Sequence, residues 1–152
     1  MAKVLVVYDT MYGNTKLIAE KIVEGLKQAQ GIEVEVSDVE KTDVDRVASF
    51  DAVLIGAPTH FGGPTRNITR FIDDLGRPDL KGKQAAVFGT YLGGDFEKGV
   101  KKMEQRITEK TGLHMMAPGL SVRVAGTKGP VVEEELPKAR EFGIRIANHL
   151  TK

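Results

Sequence analysis

The 152-residue sequence contains no cysteine. That excludes disulfides, thiolate metal sites and a cysteine nucleophile. It also lacks an excess of either charge. Lys and Arg number 22 against 21 Asp and Glu, leaving a net charge of +1 with the signs interspersed. No electrostatic case exists for a nucleic-acid or membrane partner. No apolar run approaches the ~20 residues of a membrane span. Met1-Ala2-Lys3 leads straight into an apolar stretch, so no signal peptide is expected and the cytoplasm is the default compartment. Two phosphate fingerprints are missing as well. No two glycines have the G-x-G spacing, so G-x-G-x-x-G does not occur, and neither does G-x-x-x-x-G-K-[ST].

What is present is alternation. Strand-like and helix-like patterns succeed one another along the chain, the signature of a parallel sheet with crossover helices. Strands are expected at 4–8, 32–36, 52–56 and 84–88. A fifth belongs in 113–124; Pro118-Gly119 interrupts that stretch, which favours 120–124. The run Val4-Leu5-Val6-Val7-Tyr8 is continuously apolar, as a buried parallel strand requires. The second strand alternates apolar and acidic residues, which suits an edge. Helices are expected at about 14–28, at 44–50 as a short piece, through Ile68, Phe71, Ile72 and Leu75, through Phe96, Val100, Met103 and Ile107, and at 132–150. The expected architecture is α/β: one domain, residues 1–152, with a doubly wound, three-layer, five-stranded parallel sheet in order 2-1-3-4-5.

That order brings three loops to one rim: 10–15, 58–64 and 89–95. The first, Thr10-Met11-Tyr12-Gly13-Asn14-Thr15, joins a strand to a helix. Amides at a helix start, helped by threonine hydroxyls, suit a phosphate monoester. A cap and a turn would use the same residue types. The position tips the balance, because open α/β sheets bind ligands outside the carboxyl ends of their strands. A phospho-acceptor receiver would need a carboxylate ending the third strand, which instead runs Gly56-Ala57-Pro58-Thr59. A low-molecular-weight phosphatase would need a cysteine. Flavin mononucleotide (FMN) fits what remains: one terminal phosphate, a ribityl chain and a flat ring.

The first loop resembles the phosphate signature of the flavodoxin family, T/S-x-x-G-x-T in outline, and the likeness extends over nearly the whole chain. Tyr12-Gly13-Asn14-Thr15 is similar to the flavodoxin modules of flavodiiron proteins. Pro58-Thr59-His60-Phe61-Gly62 resembles the second loop of the tryptophan-repressor-binding-protein quinone oxidoreductases. No insertion of ~20 residues interrupts the last strand, so the chain is similar to the short-chain type. The resemblance implies a flavodoxin-like fold and FMN as cofactor. It implies an electron carrier between redox-partner proteins, monomeric or weakly dimeric. The alternative is an NAD(P)H:quinone oxidoreductase. By position, Thr10, Met11, Tyr12, Gly13, Asn14 and Thr15 would hold the phosphate. Pro58 and Thr59 would meet the ribityl chain, and His60, Phe61, Gly62 and Gly63 the ring. Thr90, Tyr91, Leu92, Gly93, Gly94 and Asp95 would take its pyrimidine side. No catalytic side chain and no metal ligand is implied.

Two departures from the family pattern stand out. Gly93 occupies a place where some relatives have tryptophan, so Tyr91 or Phe61 must supply any stacking ring. Flavodoxins are typically acidic, and this chain is near neutral. The Phe61-Gly62 or Gly62-Gly63 peptide is expected to offer a carbonyl to the ring, because glycine turns freely to positive φ. His60, if protonated beside the ring, would make the potential depend on pH; otherwise it is a loop histidine in solvent. Lys98, Lys101 and Lys102 read as a solvated helix face. Glu133, Glu134 and Glu135 read as a helix's first turn. Arg66 and Arg70 flank the second loop's helix and suit an acidic partner or a pyridine-nucleotide phosphate; the plainer reading pairs Arg70 with Asp73 and Asp74. Met115, Met116, His114 and His149 read as structural.

Overall fold

Period-two side-chain alternation decides how the strands share their residues between two layers. The computed structural model describes residues 1–151. Its strands are β1 (Ala2–Tyr8), β2 (Ile32–Asp38), β3 (Ala52–Pro58), β4 (Gln84–Tyr91), β5 (His114–Met115) and β6 (Leu120–Arg123). Its helices are α1 (Asn14–Leu26), α2 (Arg66–Asp74), α3 (Lys98–Lys110) and α4 (Leu136–Thr151). All strand pairs are parallel, in the order β2-β1-β3-β4, with β5 and β6 both on the far side of β4. The expected order 2-1-3-4-5 is therefore present, its fifth place filled by two segments.

Leu5, Val7, Val53, Ile55, Ala85 and Val87 face α2 and α3. Val4, Val6, Leu54, Ala86 and Phe88 face α1 and α4. Residues of β1, β3 and β4 thus go alternately to two apolar cores. On the second face, α1 and α4 meet backbone to backbone. A side chain at Gly25 would overlap the Arg140 carbonyl, and one at Gly143 would overlap the Ile22 carbonyl. Only glycine permits that approach.

Several boundaries differ from expectation. The fifth strand is split because Pro118 has no N–H to give. His114 and Met115 pair with Gln84 and Ala85 before the break, and 120–123 pair with 88–91 after it. β4 runs on to Tyr91, so Gly89, Thr90 and Tyr91 are strand and not loop. Its neighbours on both sides are long enough to pair there. The short helix is a 3₁₀ turn, Val44–Ser49, capped by the Asp43 carboxylate. Glu133–Glu135 is also 3₁₀, and α4 starts only at Leu136, where Pro137 is tolerated in the first turn. Asp73 pairs with Arg106 of α3, through Nε at 2.6 Å and Nη2 at 2.8 Å, and not with Arg70. That forked bond holds the Asp73 carboxyl below its ordinary range. No helix among the described residues is long and apolar enough to cross a membrane.

Candidate functional site

β1 ends at Tyr8, and six residues later α1 begins. Gly13 makes the turn possible at φ +88°. Its own N–H donates to Thr10 Oγ1 at 2.9 Å. The first helical bond runs from the Leu17 N–H to the Gly13 carbonyl. The N–H groups of Asn14, Thr15 and Lys16 therefore have no carbonyl of their own. No side chain caps this end of the helix. Beside these donors, Thr15 is 1% exposed, and its hydroxyl is buried with no hydrogen-bond partner among the described residues. An unpaired buried hydroxyl costs roughly 1–3 kcal/mol. An anion seated in the loop would supply that partner.

The loop opens into a cleft of about 470 Å³, within the ~300–1,000 Å³ range of small-molecule sites. Of the residues proposed from the sequence, the cleft brings together Thr10, Met11, Tyr12, Asn14, Thr15, Pro58, Thr59, His60, Phe61, Thr90, Tyr91, Leu92 and Asp95. Gly13, Gly62, Gly63, Gly93 and Gly94 shape its loops without lining it. Two lining residues escaped sequence reasoning, Val124 and Thr127. They follow β6, more than a hundred residues from the first loop. The only available signal was the turn-forming pair Gly126 and Gly129 after that strand.

The second loop is a tight hairpin. The His60 N–H donates to the Gly63 carbonyl at 2.7 Å, and the Gly63 N–H to the His60 carbonyl at 3.0 Å. Its central residues, Phe61 and Gly62, have φ +52° and +75°, the pattern of a type I′ turn. A phenylalanine in this region is strained. Phe61 is also fully exposed, at 107%. The turn is backed by α3: Lys102 Nζ would be 3.8 Å from a side chain at Gly62, and the Lys98 stem as close. Lys98 also meets Asp95 at 3.3 Å, and Lys101 meets Glu97 at 3.7 Å. Lys98, Lys101 and Lys102 are all exposed, as a solvated helix face requires, and the first two make only local surface pairs.

The third loop leaves β4 after Tyr91. Gly93 and Glu97 both take positive φ, at +67° and +62°. The Glu97 N–H donates to Ser121 Oγ at 3.1 Å. The Tyr91 ring meets Phe96 edge to face, with centroids 5.4 Å apart. Between the expected stacking candidates the contrast is plain. Tyr91 is half-buried and braced, whereas Phe61 stands in solvent. Asp9, the one acidic residue near the end of β1, accepts from Thr65 Oγ1 at 2.6 Å and is held against the start of α2.

Sequence comparison decides the family. The profile described as Flavodoxin domain matches residues 5–128. The chain belongs to the flavodoxin family. Members of that family bind FMN. The chain is 39% identical over 93 residues to a curated flavodoxin of Aquifex aeolicus; the match takes in 59% of this chain and 50% of that relative. The crystal structure of oxidised Flavodoxin 2 from Bacillus cereus is 31% identical with a TM-score of 0.82, covering 97% of this chain and 99% of that one. The flavodiiron core of Flv1 from Synechocystis sp. PCC6803 has a TM-score of 0.78 at 21% identity, covering 99% of this chain and 36% of that one. This last likeness concerns the fold. The flavodoxin chain thus spans half the length of its curated relative and about a third of the flavodiiron core.

Proposed function

We propose that residues 1–152 form one FMN-binding domain that carries electrons between redox-partner proteins in the cytoplasm. The observation that carries this reading is the buried, unpartnered Thr15 hydroxyl beside three unpaired helix amides. A phosphate dianion is the complement of such a loop, because uncharged donors and the helix dipole both favour it. Thr10 and Thr15, with the amides of residues 14–16, hold the phosphate. Thr59 and Pro58 border the ribityl chain. Thr59 Oγ1 fills the space that a side chain at Gly99 would need, so the start of α3 fixes that residue. Tyr91, Leu92 and Asp95 bound one side of the ring, and His60 and Phe61 the other.

FMN supplies the redox chemistry, accepting and releasing electrons that no side chain of this chain can carry. The protein's part is to bind, orient and tune. The type I′ turn holds the Phe61-Gly62 and Gly62-Gly63 peptides at the mouth of the cleft, where a carbonyl would accept a hydrogen bond from a ring N–H. Tyr91 walls one side, its ring braced edge to face by Phe96.

Full-chain protein mixed with FMN is expected to bind it with absorbance near 450 nm and to melt at a higher temperature. An unchanged melting temperature at saturating FMN refutes the reading. Stopped-flow mixing of the loaded protein with NADPH and a quinone separates carrier from enzyme: slow reduction supports the carrier, and rapid quinone turnover supports the oxidoreductase.

A further inference from the structure

The turn 126–129 is remote in sequence from the loop 10–15, yet the fold sets one against the other. A side chain at Gly129 would overlap the Asn14 carboxamide. The base of the turn is closed by the Ala125 N–H donating to the Pro130 carbonyl at 2.8 Å and by an antiparallel bridge between Val124 and Val131. Its tip is closed by the Gly129 N–H donating to the Gly126 carbonyl at 2.9 Å. Thr127 lines the same cleft as Thr10 and Thr15. Lys128 is exposed, and its ammonium lies 5.9 Å from the centre of the Tyr12 ring. Among the described residues no carboxylate forms a salt bridge with it. A fixed turn therefore presents an unneutralised cation to the phosphate loop; residues 10–15 contain no basic residue, and Lys16 follows them on the first turn of α1.

We propose that Lys128 is the cation of the phosphate site, released from Tyr12 to the FMN phosphate on binding, with Thr127 closing the side of the site opposite α1. This rests on the FMN reading above. A cation–π contact at an exposed edge is weak, and a doubly charged phosphate is a stronger partner for the same ammonium. The four-carbon stem of lysine lets the charge move without moving the turn. Cofactor capture then depends on two segments far apart in the chain, and the phosphate is gripped from both.

The test compares FMN with riboflavin, which has the same ring and no phosphate. Full-chain wild type, Lys128→Gln, Lys128→Arg and Lys27→Gln are titrated with each ligand, followed by flavin fluorescence. Lys27 caps the opposite end of α1 and controls for net charge. Lys128→Gln is expected to weaken FMN binding about five- to tenfold and leave riboflavin binding unchanged. Lys128→Arg retains most of the affinity, and Lys27→Gln retains all of it. FMN binding to Lys128→Gln also becomes less sensitive to salt. Wild-type FMN affinity in Lys128→Gln overturns the proposal, and so does an equal loss for FMN and riboflavin, which would place the effect on the ring or on Tyr12. A wild type that binds no FMN at all overturns the cofactor reading along with it, an outcome distinct from either of these.

Discussion

Loop 10–15 grows out of two buried elements, whereas turn 60–63 projects from the end of a single strand. β1 is almost wholly buried beyond Lys3, and α1 behind the loop is locked to α4 through Gly25 and Gly143. The turn at Phe61 has positive φ at both central residues and a solvent-bathed aromatic ring. One end of the cleft is built on packed elements. The other end stores backbone strain where a ring would lie. Affinity is therefore expected to reside at the phosphate end, and tuning at the ring end.

The sharpest way to break this contrast is to put the same methyl group at each end. Gly143→Ala forces α1 and α4 apart and should cost about 3 kcal/mol or more, lowering the thermal midpoint by roughly 6–12 °C. Gly94→Ala, with nothing within 4 Å of the new atom, should stay within about 0.5 kcal/mol. Equal losses in calorimetry would abolish the distinction.

Thr15→Val removes the stranded hydroxyl while nearly preserving shape. The unliganded protein should gain about 1 kcal/mol, and FMN affinity should fall roughly 10- to 100-fold. Opposite signs in melting and titration are the signature. A loss in both would mean that the hydroxyl has a structural partner.

At the ring end, Phe61→Asn suits the left-handed backbone better and forfeits no buried contact. A gain of about 1 kcal/mol, or roughly 2–4 °C in the melting curve, is expected. A loss would show that the exposed ring is held by contacts worth more than its strain.

The smallest effect concerns the ion pair that joins α2 to α3. Arg106 depresses the Asp73 pKa, so the pair's stabilisation is present above the ordinary carboxylate pKa and is lost as pH falls through the lower folded value. Both side chains are more than a third exposed, and solvent screening keeps the effect below about 1 kcal/mol. Wild type and Asp73→Asn should differ slightly in urea melts at pH 6 and converge as the pH falls through the depressed folded-state pKa. A constant difference across that range would assign the effect to something other than charge.

Local rules reached β1, the order of the sheet and the first loop because each depends on neighbours in sequence. Apolar runs mark buried strands, and Thr10 to Thr15 is one contiguous stretch. The rest depended on distant partners. β4 extends to Tyr91 because Pro58 and Arg123 lie beside its end, and nothing in Gly89-Thr90-Tyr91 itself says strand. Asp73 prefers Arg106 over the nearer Arg70 because packing of α2 on α3 sets the fork in place. Thr127 reaches the cleft, and Lys128 the Tyr12 ring, only after β6 has docked on β4 and turned back. Phe61 in a left-handed conformation contradicts local preference, a violation expected where function outweighs local stability.

The locked pair of helices also has a consequence in time. Amide hydrogens in the body of α1 can exchange with solvent only when α4 departs with it, so they should share the slowest exchange class of the molecule. Those at 61–63 and 93–97 need only a local opening and should exchange far sooner. A nucleotide leaving such a cleft would pass through loosened loops while its anchoring helix stayed closed, and the emptied cradle would stand ready for the next molecule without refolding.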